Sequence, residues 1–156
     1  MIFIIMSCSN QNDNSILLQK RIESLEKKLE ESYKPGFGEF MSGIQLHHIK
    51  LWFAAQQHNW KLADFEIHEI MEAIDGIQKY ETDRKETQKI SMILAPIDSV
   101  NNAIKNEDEA MFKRSYTLLT NTCNNCHRSN EFEFNVVKIP EGNPFGNQDF
   151  RVNAGK

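Results

Sequence analysis

Apolar positions recur along this chain at helical spacing and fall into five segments, each with its own stripe. Over 16–34, Leu18, Ile22, Leu25 and Leu29 follow a four-three-four pattern while Lys, Glu and Arg fill the other faces. That is one narrow apolar stripe, suited to a coiled-coil-like contact with a partner or with the bundle. Pro35, with Gly36 and Gly38 close behind, ends it. Phe37 to His58 carries two adjacent stripes, Phe37, Met41, Ile44, His48, Leu51, Ala55 and Phe40, Ile44, His47, Leu51, Ala54, His58. A face that broad belongs to a helix buried on more than one side.

Asn59 is placed to cap the third helix, which runs to about Tyr80 with Trp60, Ala63, Ile67, Ile70, Ile74 and Ile77 on one seam. After the polar stretch Glu81 to Glu86, Ile90, Ile93, Ile97, Val100 and Ile104 mark a fourth helix over Lys89 to Lys105. Pro96 lies inside it, and an interior proline costs about 3 kcal/mol, so a kink or restart is expected near Ala95. After the turn at Asn106 to Asp108, the last helix aligns Phe112, Tyr116, Leu119, Cys123 and Cys126, which turns both thiols toward the core.

Long helices with short connections pack as bundles. The expected fold is therefore all-α: an antiparallel four-helix bundle over 36–130, preceded by the extra helix over 16–34 and followed by an extended tail over 131–156. Glu131 to Val136 alternates like a strand, but no second strand is there to pair with it. The tail, with Pro140, Gly142, Pro144 and Gly146, reads as a segment folded over the bundle end.

Charge changes the picture mainly by exclusion. The 156 residues hold 18 Lys and Arg against 22 Asp and Glu, a net charge of −4 with no basic stripe, which argues against a nucleic-acid partner. No apolar run approaches the ~20 residues that span a bilayer. No general base, nucleophile pair or Gly-rich phosphate loop stands out, so no enzymatic activity is expected.

The cysteines carry the chemistry. Cys123-Asn124-Asn125-Cys126-His127 is a C-x-x-C-H run. Two thiols at this spacing can add to the two vinyl groups of one haem, and the histidine after them is placed as an axial nitrogen ligand to the iron. The same pair of cysteines also suits zinc, a redox dithiol or a disulfide. Against zinc, the chain has no second C-x-x-C and no H-x-x-x-H. Against a thioredoxin-like site, the motif closes a helix instead of opening one after a strand.

The third cysteine, Cys8, follows the short apolar run Met1 to Ser7 and precedes a polar stretch, Ser9 to Ser15, that reads as a tether. Residues 1–15 resemble the end of a bacterial lipoprotein signal with Cys8 as the lipidated residue, though the basic n-region is missing and the apolar part is short. A frayed apolar terminus is the other reading.

A helical bundle with one C-x-x-C-H at the end of its last helix resembles the cytochrome c′ family. The resemblance covers roughly Phe37 to Arg128 and rests on the motif and the helix order. It implies one haem c held by Cys123 and Cys126, with His127 as proximal ligand and the helix Phe37 to His58 on the distal side. Covalent haem attachment, which in bacteria resembles a process completed outside the cytoplasm, points to export and places the chain on the periplasmic side of a bacterial membrane. The amino-terminal helix and the tail of about thirty residues depart from the family pattern. The stretch Gln45 to Ala54 is also similar to one in bacterial haem proteins of unassigned role.

Met41, His47 and His48 are candidates for the sixth iron position or its pocket, while His58 and His68 read as surface or helix-end residues. Each candidate also has a plain reading, methionine as core filler and histidine as a hydrogen-bonded core or surface residue. Three functions stay open: a one-haem electron carrier with redox partner proteins, a binder or sensor of a small gas such as NO or CO, and a zinc-holding or haem-free helical lipoprotein. A membrane anchor at Cys8 and a homodimer through helix faces are further expected contacts.

Overall fold

The structure, a computed structural model, describes residues 9–30, 32 and 35–152. Cys8 and the apolar run before it lie outside the described residues. The chain divides into two compact units at 34/35, and each is described by itself.

The first unit is helix α1, Ser9–Glu30. It begins at Ser9, so the stretch read from sequence as a tether is helical. The seven residues Ser9 to Ser15 contain no Pro or Gly, and helix propagation adds one hydrogen bond per residue once a nucleus exists. Its apolar residues from Ile16 to Leu29 are all about half exposed or more.

The second unit is a bundle of α2 (Phe37–Gln56), α3 (Trp60–Tyr80), α4 (Leu94–Lys105) and α5 (Glu109–Ser129), with a 3-10 helix, Thr87–Ile93, leading into α4. Among the described residues there is no strand, and the alternating segment after α5 is a loop. Sequential helices pack as neighbours and α5 closes onto α2, so the four form a ring around one core. That core is built from the stripes themselves: Leu51, Ala54 and Ala55 on α2, Ile67, Ile70, Ile74 and Ile77 on α3, Ile97, Val100 and Ile104 on α4, and Phe112, Tyr116 and Leu119 on α5. α2 and α3 approach closely where the Phe40 ring lies on Gly76; a Cβ there would fall 2.6 Å from Phe40 Cε1.

The restart before α4 falls at Leu94, which leaves Pro96 in the first turn, where a missing N–H breaks no intrahelical bond. Asn59 caps α3 by accepting from the Leu62 N–H at 3.2 Å, and Asp108 caps α5 by accepting from Met111 at 2.8 Å. Three helix ends share a device that their residue types conceal. His58, Glu107 and Glu131 adopt left-handed φ values of 51°, 53° and 67° without being glycine. Each turn is closed by a bond from the next residue back into the helix: Asn59 N–H to Ala54, Asp108 N–H to Ala103, Phe132 N–H to His127.

The tail does more than cover one end. It leaves α5 beside the cysteines, lies along α2 and finishes at the opposite end of the bundle. There Phe150 is buried against Phe53, and Asn59 Nδ2 donates to the Phe150 carbonyl at 3.2 Å. Anchors at both ends, the cysteine motif and Asn59, stretch it along the helix between them.

Candidate functional site

The final two turns of α5 hold the whole C-x-x-C-H run. Cys123 lies on the inner stripe below Leu119 and packs on the core, while Cys126, one turn later, is half-buried. Both thiols are free. Burial pushes Cys123 up to about 12, with Cys126 adding to the effect, and burial also raises Cys126. The carbonyl end of a helix further disfavours negative charge. Dithiol redox sites work through a low-pKa thiolate, and these two thiols are held the other way.

His127 and both cysteines line one cavity. The His127 Nδ1–H donates to the Asn135 carbonyl at 2.6 Å, so one tautomer is fixed and Nε2 keeps its lone pair. Two residues beyond that carbonyl, the tail is held from inside the motif. Asn124 donates from Nδ2 to the Val137 carbonyl and accepts the Val137 N–H on Oδ1, both at 2.8 Å. A ring nitrogen engaged with a backbone carbonyl, with the other left free, is the arrangement that orients a ligating histidine.

The cavity has a volume of about 320 Å³ and opens at the α5 end of the bundle. This size falls among cofactor pockets, which run from about 300 to 1,000 Å³. Phe37, Met41 and Ile44 of α2, Ile74 of α3, and Ile90 and Ile93 before α4 form its apolar wall. Its charged wall is Arg84 and Glu86, joined at 3.0 Å, with the Arg84 guanidinium 5.2 Å from the Phe37 ring centre. The hydrogen bond from Arg84 holds the Glu86 carboxyl below its ordinary value. A second cavity of about 370 Å³ lies between α2 and the tail and shares Gln45, His48 and Val137 with the first.

The three residues considered for the far side separate clearly. Met41 lines the cavity, and among the described residues nothing makes a polar contact to its sulfur. His48 also reaches the cavity wall, but both ring nitrogens are engaged. Nε2 lies 3.0 Å from Thr120 Oγ1 and Nδ1 lies 2.9 Å from the Tyr116 hydroxyl. Thr120 Oγ1 also donates to the Tyr116 carbonyl, and the Tyr116 hydroxyl also donates to the His48 carbonyl at 2.8 Å, so the same two side chains tie the ring to both helix backbones. Burial lowers this imidazole to about 4, which keeps it neutral. His47 is turned away from the cavity. Its Nδ1–H donates at 2.6 Å to Glu66, a fully buried carboxylate, and its Nε2 is 3.7 Å from Glu69. His58 and His68 are exposed, beside Glu109 and Asp64.

Sequence reasoning missed Asn124, Asn135, Tyr116 as a hydrogen-bonding group, Thr120 and Glu66. Only Glu66 left a trace, as a carboxylate one position before Ile67 on the apolar seam of α3. Among the described residues no three His, Cys, Asp or Glu side chains group as a metal cage, so the cysteine pair has no ligands around it to complete a tetrahedral zinc site. No protein-family model, curated protein or solved structure matches the chain.

Proposed function

We propose that this chain is a monohaem c-type cytochrome of the cytochrome c′ kind, and that it carries single electrons. The observation that supports this most is the state of His127. Its Nδ1–H is committed to the Asn135 carbonyl, its Nε2 is free, and it shares one apolar cavity with two unpaired thiols. Cys123 and Cys126 would hold the haem as thioethers and His127 would ligate the iron. The bound haem supplies a one-electron couple, whose potential follows from its axial ligands and their burial.

The chain's own residues account for the rest. Phe37, Met41, Ile44, Ile74, Ile90 and Ile93 would surround the group with apolar side chains, which disfavours the state of higher charge. The Asn135 carbonyl makes the imidazole a stronger donor. Met41 is the sulfur donor on the α2 wall, where Ser42 and Gln45 offer only neutral oxygen, a poorer match for haem iron. We assign it the sixth position. Cys8, outside the described residues, would carry a lipid anchor on the periplasmic side of a bacterial membrane. No helix among the described residues is long and apolar enough to cross one.

One observation favours the small-gas reading instead: His48 and His47 are satisfied by Tyr116, Thr120 and Glu66, so no imidazole competes for the far side. The absorption spectrum of the reduced protein, with and without carbon monoxide, decides between them. A carrier with Met41 bound shows sharp low-spin bands and takes up carbon monoxide slowly, and Met41→Ala converts it to a high-spin, fast-binding form. A high-spin wild type that binds carbon monoxide at once removes the carrier reading and leaves His127 as it stands.

A further inference from the structure

Helix α1 carries a surface that the bundle site does not explain. Leu18, Ile22, Leu25 and Leu29 are 62%, 49%, 57% and 71% exposed, and they stand at d, a, d and a of a heptad. Ile16 and Leu17 are exposed beside the first of them. The register also fixes the flanking charges. Arg21 and Lys28 fall at g, and Gln19 and Glu26 at e.

We infer that α1 pairs with the α1 of a second copy of this chain as a parallel two-stranded coiled coil. In a parallel dimer the g residue of one helix meets the e residue five positions later on the other. Arg21 then meets the second copy's Glu26, and symmetry makes this pair twice. In an antiparallel dimer g meets g, which sets Arg21 and Lys28 against each other as like charges. Ile22 at a with Leu18 and Leu25 at d is the combination that favours two parallel strands.

A membrane surface is the less suitable occupant. α1 holds four basic residues (Lys20, Arg21, Lys27, Lys28) and four acidic ones (Asp13, Glu23, Glu26, Glu30), so it has no net attraction for anionic lipid. With two apolar heptads, the pairing is weak and reversible, and a shared membrane anchor would strengthen it by raising local concentration.

The test is the mass of the whole chain by light scattering across a concentration series under reducing conditions, in a Cys8→Ser background that removes the lipid. The wild-type helix gives a concentration-dependent approach to twice the chain mass. Arg21→Glu or Glu26→Arg alone weakens association about tenfold, because two attractive pairs become repulsive, and the double exchange restores it. Ile22→Lys/Leu25→Lys gives a monomer with unchanged helicity in the bundle. A monomer at every concentration overturns the proposal, as does a dimer that survives Ile22→Lys/Leu25→Lys. Binding of the wild type to phosphatidylglycerol vesicles, lost in that same variant, would replace the second copy with a membrane.

Discussion

Asn124 sits between the two cysteines and spends its whole amide on the backbone of Val137. This brings the tail across the motif and sets the Asn135 carbonyl against His127. Asn124→Ala removes both bonds, and we expect a loss of about 1–2 kcal/mol in urea unfolding. If haem is attached, the weaker hydrogen bond leaves a less basic imidazole, so the potential rises while the haem is retained. An unchanged potential would disconnect the clamp from the ligand. His48 yields a second prediction. Its folded value of about 4 lies below the ordinary 6.5, so the unfolded chain takes up the proton first. The stability it contributes is complete above pH 6.5 and is lost as pH falls toward 4, by up to about 3 kcal/mol. Subtracting the urea-unfolding profile of His48→Gln from that of the wild type isolates this effect; parallel profiles would contradict it.

At the scale of elements, the helix stripes were readable because each buried face repeats every three to four residues, as in Ile67, Ile70, Ile74 and Ile77. The ends were less so. The apolar period runs on to His58, yet α2 stops at Gln56 and His58 takes the left-handed position beyond it. Nothing in a histidine or a glutamate announces that role, which glycine usually fills. A residue with a Cβ pays about 1–2 kcal/mol there. Glu107, exposed and at φ 53°, is the cleanest place to recover part of it. Glu107→Gly should raise the urea midpoint by the equivalent of about 0.5–1 kcal/mol, since glycine also gains freedom in the unfolded chain. A fall in midpoint would show that the turn holds Glu107 for another reason.

For the whole molecule, the bundle was legible and the path of the tail was not. The bundle follows from four apolar stripes and short connections. The tail has no period, and what directs it along α2 is a set of single contacts: Asn124 at one end, Lys50 over the Phe145 ring midway, Phe53 and Asn59 at the other. Asn59 caps α3 with its Oδ1, and its bond to Phe150 uses the other half of the same amide. The candidate site divides in the same way. Cys123, Cys126 and His127 follow from a five-residue run, whereas the neutral, occupied state of His48 depends on Tyr116 and Thr120 from another helix.

All of this turns on whether Cys123 and Cys126 hold a haem. The intact mass of the denatured chain, made in cells with a cytochrome c maturation system, answers that directly. We predict a chain heavier by one haem, and no such gain in Cys123→Ser/Cys126→Ser. A wild-type chain that leaves those cells at the mass of polypeptide alone would contradict the haem assignment.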